Sequence, residues 1–232
     1  MRAELLLALA ALLSSTACAK KAPACEAPAN LPRPMLEGPT VKEPRRLLPI
    51  GGYTLAMSWT PQHCAGRMTN PRDQLQCDGK TSKFGFTLHG LWPDGEGATW
   101  PQYCSPTRLV PDKVIRENLC TTPSVQLIQH EWEKHGTCMS RTPEDYFAKS
   151  RALFRAIRFP EMADYRGKRM TAGAFRAAFA KANEGMRADQ IKLRITPGGW
   201  LEEVWLCLDK KLGRTACRAA DGIAADRPIR IR

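Results

Sequence analysis

Three of the chain's four histidines sit in two short polar stretches, while His63 stands apart beside Cys64. The first stretch is "HEWEKHGTC", His130 to Cys138. It comes close to the zinc-protease pattern H-E-x-x-H. The residue one turn after His130 is Lys134, however, and the second imidazole follows at His135. On a helix turning about 100° per residue, Lys134 falls about 40° from His130, Glu131 about 100° and His135 about 140°. One face then offers two imidazoles, a carboxylate and an ammonium, while Trp132 and Glu133 point elsewhere. Zinc held by H-E-x-x-H needs its imidazoles one turn apart, and a lysine in that place repels a cation. Cationic donors on one face suit an anion, above all a phosphate whose charge grows in a transition state. No metal and no cofactor is expected. A lone histidine is ordinarily structural, and His63 is read that way. Three histidines interleaved with Glu and Lys are read as a site.

The second stretch is "FTLHGLWPD", Phe86 to Asp94. His89 is expected at the end of an apolar strand, with Gly90 allowing a tight turn. Trp92 beside Asp94 offers an aromatic face and a carboxylate, a pairing able to stack on a base and hydrogen-bond it. Core packing is the alternative for Trp92. Taken together, "FTLHGLWPD" and "HEWEKHGTC" resemble the two active-site segments of the ribonuclease T2 family of secreted ribonucleases, in that family's order and spacing. The resemblance covers about Gly51 to Cys217. It implies that His89 and His135 are general acid and base, and that Glu131 and Lys134 stabilise the charged transition state. It also implies that His130 holds the phosphate and that Trp92 and Asp94 form a base pocket. The family's pattern has a tyrosine eleven places after the first histidine, where this chain has Trp100. Stacking survives that exchange, but the hydroxyl's hydrogen bond is lost. Leu127 and Ile128 stand where the family commonly has aromatic residues, so a second base site is expected to be weak or unselective.

The chemistry that follows is cleavage of single-stranded RNA without a metal and with low base specificity. RNA carries its own nucleophile, the 2′-OH. A neutral His135 takes that proton, and a protonated His89 gives one to the leaving 5′-oxygen. A 2′,3′-cyclic phosphate forms, which water opens to a 3′-phosphate. An ordinary imidazole pKa of about 6.5 suits both tasks. DNA lacks the attacking group and should not be cleaved. Two other classes compete: a zinc hydrolase using His130 and His135, and an RNA-binding protein without catalysis.

The elements that must position these residues can be read coarsely. "YTLAMSW" alternates Tyr53, Leu55, Met57 and Trp59 and predicts a half-buried strand, as does "KFGFTLHGLW". Residues 92–110 read as loop. A helix is expected around 124–136. A second starts at "TPEDYF", with Thr142 as N-cap, Pro143 at its first position, and Glu144 and Asp145 suiting the positive end. A third follows Thr171, with Phe175, Ala178 and Phe179 on one face. "QIKLRIT" and "WLEEVWLCLD" flank a Pro197-Gly198-Gly199 turn, and "PIRIR" is a last strand or tail. The class is α+β, a mainly antiparallel β-sheet packed with helices and stabilised by disulfides.

Lys and Arg outnumber Asp and Glu by 35 to 23, a net charge of +12 that favours a polyanionic partner. Residues 1–19 read as a signal peptide, with Arg2, the apolar run Leu5 to Leu13, and Ala17-Cys18-Ala19 as a cleavage site. That run is too short to span a bilayer, which takes about 20 residues. A periplasmic or secreted monomer without stable membrane insertion is expected; the alternative is lipidation at Cys18. Residues 20–50 hold seven of the 18 prolines and read as an extended, mobile arm, ahead of a catalytic domain over 51–232. Nine cysteines less Cys18 leave an even eight, as an oxidising compartment favours. The family resemblance favours Cys104–Cys138. Cys207–Cys217 would close a local loop. Cys77–Cys120 is expected next, leaving Cys25–Cys64 by elimination.

Overall fold

The alternating apolar residues of "YTLAMSW" form the middle of a sheet. In this computed structural model, residues 25–79, 83–218 and 222–232 are described. The elements run β1 (Ile50–Trp59), α1 (Thr60–His63), α2 (Gln74–Cys77), β2 (Phe86–Gly95), α3 (Asp112–Asn118), α4 (Val125–Lys134) and α5 (Pro143–Arg155). They continue with β3 (Met170–Thr171), α6 (Ala172–Lys181), β4 (Ile191–Ile195), β5 (Leu201–Leu208) and β6 (Pro228–Ile229). Four strands pair antiparallel in the order β2-β1-β5-β4, and β3 with β6 makes a small second sheet. The α+β class read from the sequence is the one found.

Strand side chains alternate between faces, and here the register assigns each face a task. Leu55, Met57 and Trp59 face Leu91, Leu88 and Phe86 across one ladder, and Leu55 and Met57 face Leu206 and Val204 across the other. These residues join Ile128, Tyr146, Phe175 and Phe179 in one buried core. Each such side chain contributes about 1.5–3 kcal/mol on burial. The opposite face carries Thr54, Ala56 and Ser58 on β1, Cys207, Trp205 and Glu203 on β5, and Trp92 and Gly90 on β2. β4 adds Lys192 opposite Trp205 and Arg194 opposite Glu203.

The helix starts follow their caps. The Ser124 hydroxyl accepts from the Leu127 N–H to begin α4, Thr142 accepts from Asp145 to begin α5, and Thr171 accepts from Ala174 to begin α6. Three readings change. β2 continues through Gly90 as far as Gly95, so the segment read as loop begins four residues later. A helix, α3, lies between residues 110 and 124, where none was expected; it buries Val114, Ile115 and Asn118. The eight cysteines pair as Cys25–Cys120, Cys64–Cys77, Cys104–Cys138 and Cys207–Cys217. The expected Cys77–Cys120 and Cys25–Cys64 are therefore exchanged. α1 and α2 fold back on each other and bring Cys64 to Cys77, while Cys120 at the end of α3 meets Cys25 on the arm.

Residues 25–49 contain no helix, and one bridge, Arg46 to Gln102, ties them to the domain. Arg116 donates to the carbonyls of Pro28 and Ala29, and Gln126 exchanges hydrogen bonds with the backbone of Met35. The leader and the possible lipidation site lie outside the described residues. Among those residues, no helix is long and apolar enough to cross a membrane.

Candidate active site

β1 and β2 slip by one residue between Ala56 and Met57. Ala56 faces Gly90 and Met57 faces Leu88, so His89 has no partner across the ladder. This is a β-bulge, a device that re-aims a side chain. The segment leading into α4 holds it in place: Leu88 donates its N–H to the Thr121 carbonyl, and the Thr122 hydroxyl donates to the Leu88 carbonyl. His89 is half-buried. Its Nδ1 lies 2.6 Å from Glu203 Oε1 and its Nε2 lies 3.6 Å from Glu131 Oε1. Burial disfavours the imidazolium, but the Glu203 hydrogen bond and the charges of Glu131 and Glu203 outweigh it and raise the His89 pKa. Burial would raise Glu203 as well, but hydrogen bonds from His89, Trp205 and Ser58 hold it down to about 2.

The helix supplies the other half. α4 ends at Lys134, and His135 is its C-cap, with backbone φ of −113° and ψ of −46°. The straight helical projection from His130 therefore overshoots at its last residue; the two rings lie 6.4 Å apart between centroids. The Cys104–Cys138 disulfide fastens this end, helped by the Tyr103 N–H donating to the Lys134 carbonyl. His135 is buried. Burial first, then the charges of His130, Lys134 and His89, drives its pKa well below the ordinary imidazole value. Trp92 stands between the two imidazoles, edge-on to His89 at 5.0 Å and tilted to His135 at 5.5 Å.

Glu131 explains the glycine in "LHGLW". A Cβ at position 90 would stand 1.8 Å from Glu131 Oε2 and 2.7 Å from Trp92 Nε1. Gly90 thus makes room for a carboxylate inside a continuing strand, where the sequence suggested a turn. Glu131 Oε2 accepts from Trp92 Nε1 at 2.8 Å and from the Tyr146 hydroxyl at 3.4 Å. Burial pushes its carboxyl up, against the charges of His89 and His130. Its Oε1 and the Nδ1 of His135 are buried with no hydrogen-bond partner among the described residues.

A single cleft of about 960 Å³ is lined by His89, Trp92, Asp94, Trp100, His130, Glu131, Lys134 and His135. Those are the eight catalytic and binding candidates read from the sequence, brought together from β2 with the loop after it and from α4. Asp94 accepts from the Thr54 hydroxyl. Trp100 lies at the rim, 43% exposed, with the Arg46 guanidinium 4.9 Å over its ring. His63 is elsewhere, 3.3 Å from Asp73. Lys192, Arg194 and Arg218 also line the cleft and extend its basic wall. The motifs did not reveal these three, nor Glu203. The alternation of "WLEEVWLCLD" contains the signal, since it puts Glu203 and Trp205 on the face opposite Val204 and Leu206.

Two arm carboxylates were also missed. Glu37 Oε2 bonds His130 Nδ1 at 2.5 Å, and Glu43 Oε1 bonds Lys134 Nζ at 2.7 Å. The Lys134 hydrogen bond lowers the Glu43 pKa. Glu37 is itself held by its N–H donating to Glu133 Oε2, and Glu133 accepts from Gln129.

His130, Glu131 and His135 also bring one possible metal-ligand atom each within 4.8 Å of one another. This is closer to a ligand set than the helical projection indicated. Lys134 stands on the same wall, however, and its charge already disfavours a proton on His135. A divalent cation in that place would meet the same repulsion.

An antiparallel sheet carrying a bulged histidine meets a helix end carrying a second, and one disulfide, Cys104–Cys138, fastens that helix end to the loop after β2. The chain matches the sequence profile of the Ribonuclease T2 family over residues 50–217 and belongs to that family. It is 36% identical over 123 residues to a probable ribonuclease of Haemophilus influenzae, covering 48% of this chain and 45% of the relative. It is 26% identical over 199 residues to ribonuclease I of Escherichia coli K12, covering 67% and 74%. The chain thus spans about half the length of the first of these relatives. Its fold is that of the RNase-related protein from Calystegia sepium, with TM-score 0.61 and 20% identity over 78% of this chain and 96% of that one.

Proposed function

We propose that this protein is a metal-independent endoribonuclease that cleaves single-stranded RNA with low base specificity, in the periplasm or outside the cell. The observation that carries the reading is a pair of imidazoles, His89 and His135, flanking one tryptophan in one cleft and driven toward opposite charge states. Groups whose surroundings push their pKa values apart are the ones suited to act as acid and base. His135, neutral, removes the 2′-OH proton. His89, protonated, donates from Nε2 to the leaving 5′-oxygen. Lys134 and His130 face the phosphate and oppose its growing charge. Glu131, on the same wall, completes the set of groups around the phosphate. The product is a 2′,3′-cyclic phosphate, opened by water to a 3′-phosphate. Trp92, Asp94 and Trp100 line the path of the bases. Four disulfides among the described residues and the leader reading support an oxidising compartment.

The test is to incubate the protein with RNA and with DNA of the same sequence in excess EDTA, and to identify the ends. Cleavage of RNA alone, with 2′,3′-cyclic or 3′-phosphate termini, is expected. The cluster of His130, Glu131 and His135 keeps a metal-hydrolase reading in contention. Loss of cleavage in EDTA, restored by zinc, would establish that reading in place of ours.

A further inference from the structure

We propose that Glu203 is the positioning residue for the acid histidine: its carboxylate accepts a hydrogen bond from the Nδ1–H of His89, so that the transferable proton stands on Nε2 in the cleft. The inference rests on the reading of His89 as general acid. Glu203 lies in the middle of β5, and the register places it opposite Ser58 on β1 and Arg194 on β4. Its side chain emerges on the cleft face and is largely buried, 16% exposed. Both oxygens are oriented. Oε1 lies 2.6 Å from His89 Nδ1 and accepts from the Ser58 hydroxyl at 2.9 Å, while Oε2 accepts from the Trp205 indole N–H at 2.7 Å. A carboxylate this desolvated needs a charged partner, and His89 is the cation bonded to it. A carboxylate on one ring nitrogen fixes the tautomer and the aim of the other. The bulge frees the ring from the β1 ladder, and Glu203 supplies the restraint that the ladder does not.

Other charges also face His89. Glu131 and Lys134 act from α4, His63 from α1 and His135 from the helix end, and of these only Glu131 favours the imidazolium. Removing the Glu203 charge therefore leaves the cationic neighbours opposed by a single buried carboxyl. The pKa of His89 should fall.

The experiment uses Glu203→Gln, which keeps the length of the side chain and lets the amide oxygen accept from Trp205 while the amide nitrogen faces Ser58 and His89. On a dinucleoside phosphate, kcat should fall about 10- to 100-fold while KM stays within about twofold. The alkaline limb of the pH profile should move to lower pH. On uridine 3′-(4-nitrophenyl phosphate), whose nitrophenolate leaves without a proton, most of the loss should vanish. A damaged fold would lose both activities together, and equal losses on the two substrates would overturn the proposal. Glu203→Asp should recover part of the loss on the dinucleotide. The His89 ring is also titrated by NMR in both proteins. An unchanged pKa and tautomer in Glu203→Gln would overturn the proposal even if the wild-type chain cleaved no RNA, an outcome that would separately sink the catalytic reading.

Discussion

The sheet and the helix each bring an imidazole to the cleft, and they prepare them in opposite ways. His89 leaves a strand at a bulge and meets carboxylates at both ring nitrogens, Glu203 at 2.6 Å and Glu131 at 3.6 Å. His135 ends a helix, is more deeply covered, and has cations around it: Lys134 on the same turn and His130 one turn back. Desolvation disfavours charge on both rings. On the sheet side two carboxylates overturn it, and on the helix side two cations reinforce it. Burial alone therefore says little about a histidine's charge, and the sign of its neighbours decides. The arm adds a further contrast. It sends Glu37 and Glu43 to His130 and Lys134, on the helix side of the cleft.

Each half can be broken separately, and the largest effect should come from the rings. His89→Ala and His135→Ala should each lower kcat by about 10²- to 10⁴-fold, with RNA binding by filter retention little changed. The pH profile of the wild type should be bell-shaped. Activity rises as pH passes upward through the lowered pKa of the His135 side, because the base must be neutral. It falls as pH passes the raised pKa of the His89 side, because the acid must be charged. The base pKa lies below the acid pKa, so both are in the working form over a broad middle range. The limbs belong to the coupled group. His89→Ala should flatten the alkaline limb and His135→Ala the acid limb; a profile that rises steadily into alkali would contradict the comparison.

A smaller effect should come from the clamp on the helix half. Replacing Cys104 and Cys138 together by Ala should cost about 2–5 kcal/mol in denaturant unfolding. It should also lower kcat, because Lys134 and His135 precede that anchor. The His89 titration should hardly move, since the bulge is tied to Thr121 and Thr122 instead. A shift in His89 as large as that in His135 would show that the two halves are one unit.

The smallest effect concerns the arm. Glu43 is about half exposed, so Glu43→Gln should change stability by less than about 1 kcal/mol. Freed of that carboxylate, Lys134 should bind polyanion more tightly, and KM for RNA should fall a few-fold at low salt. An unchanged KM would show that Glu43 does not compete with substrate.

Much of this site was legible because its parts are local in sequence. The two histidine motifs carry all eight candidates except Trp100, and Trp100 follows the first closely. The caps at Thr142 and Thr171 and the strands on either side of the Pro197 turn were also local signals. What escaped reading depends on pairing over distance. Glu203 is 114 residues from His89 and looks like one of two glutamates in a strand until the register gives each a face. Gly90 reads as a turn residue because its neighbour in space, Glu131, is 41 positions away. Of the exchanged cysteines only Cys25 and Cys120, 95 residues apart, fail for that reason; Cys64 and Cys77 are 13 residues apart and are joined by the turn between α1 and α2. The helix at Asp112–Asn118 carries its own local signal in the buried spacing of Val114, Ile115 and Leu119.

The ladder between β1 and β2 has a spare place in it. On one side of that place Leu88 keeps step with Met57, and on the other Gly90 keeps step with Ala56. Excising residue 89 would close the gap, and Leu88 and Gly90 would fall into ordinary alternation, each still on its own face. The architecture would be more regular without the residue proposed to do its chemistry. The ladder has no use for position 89; what holds its ring is the pair of carboxylates that flank it, Glu203 and Glu131.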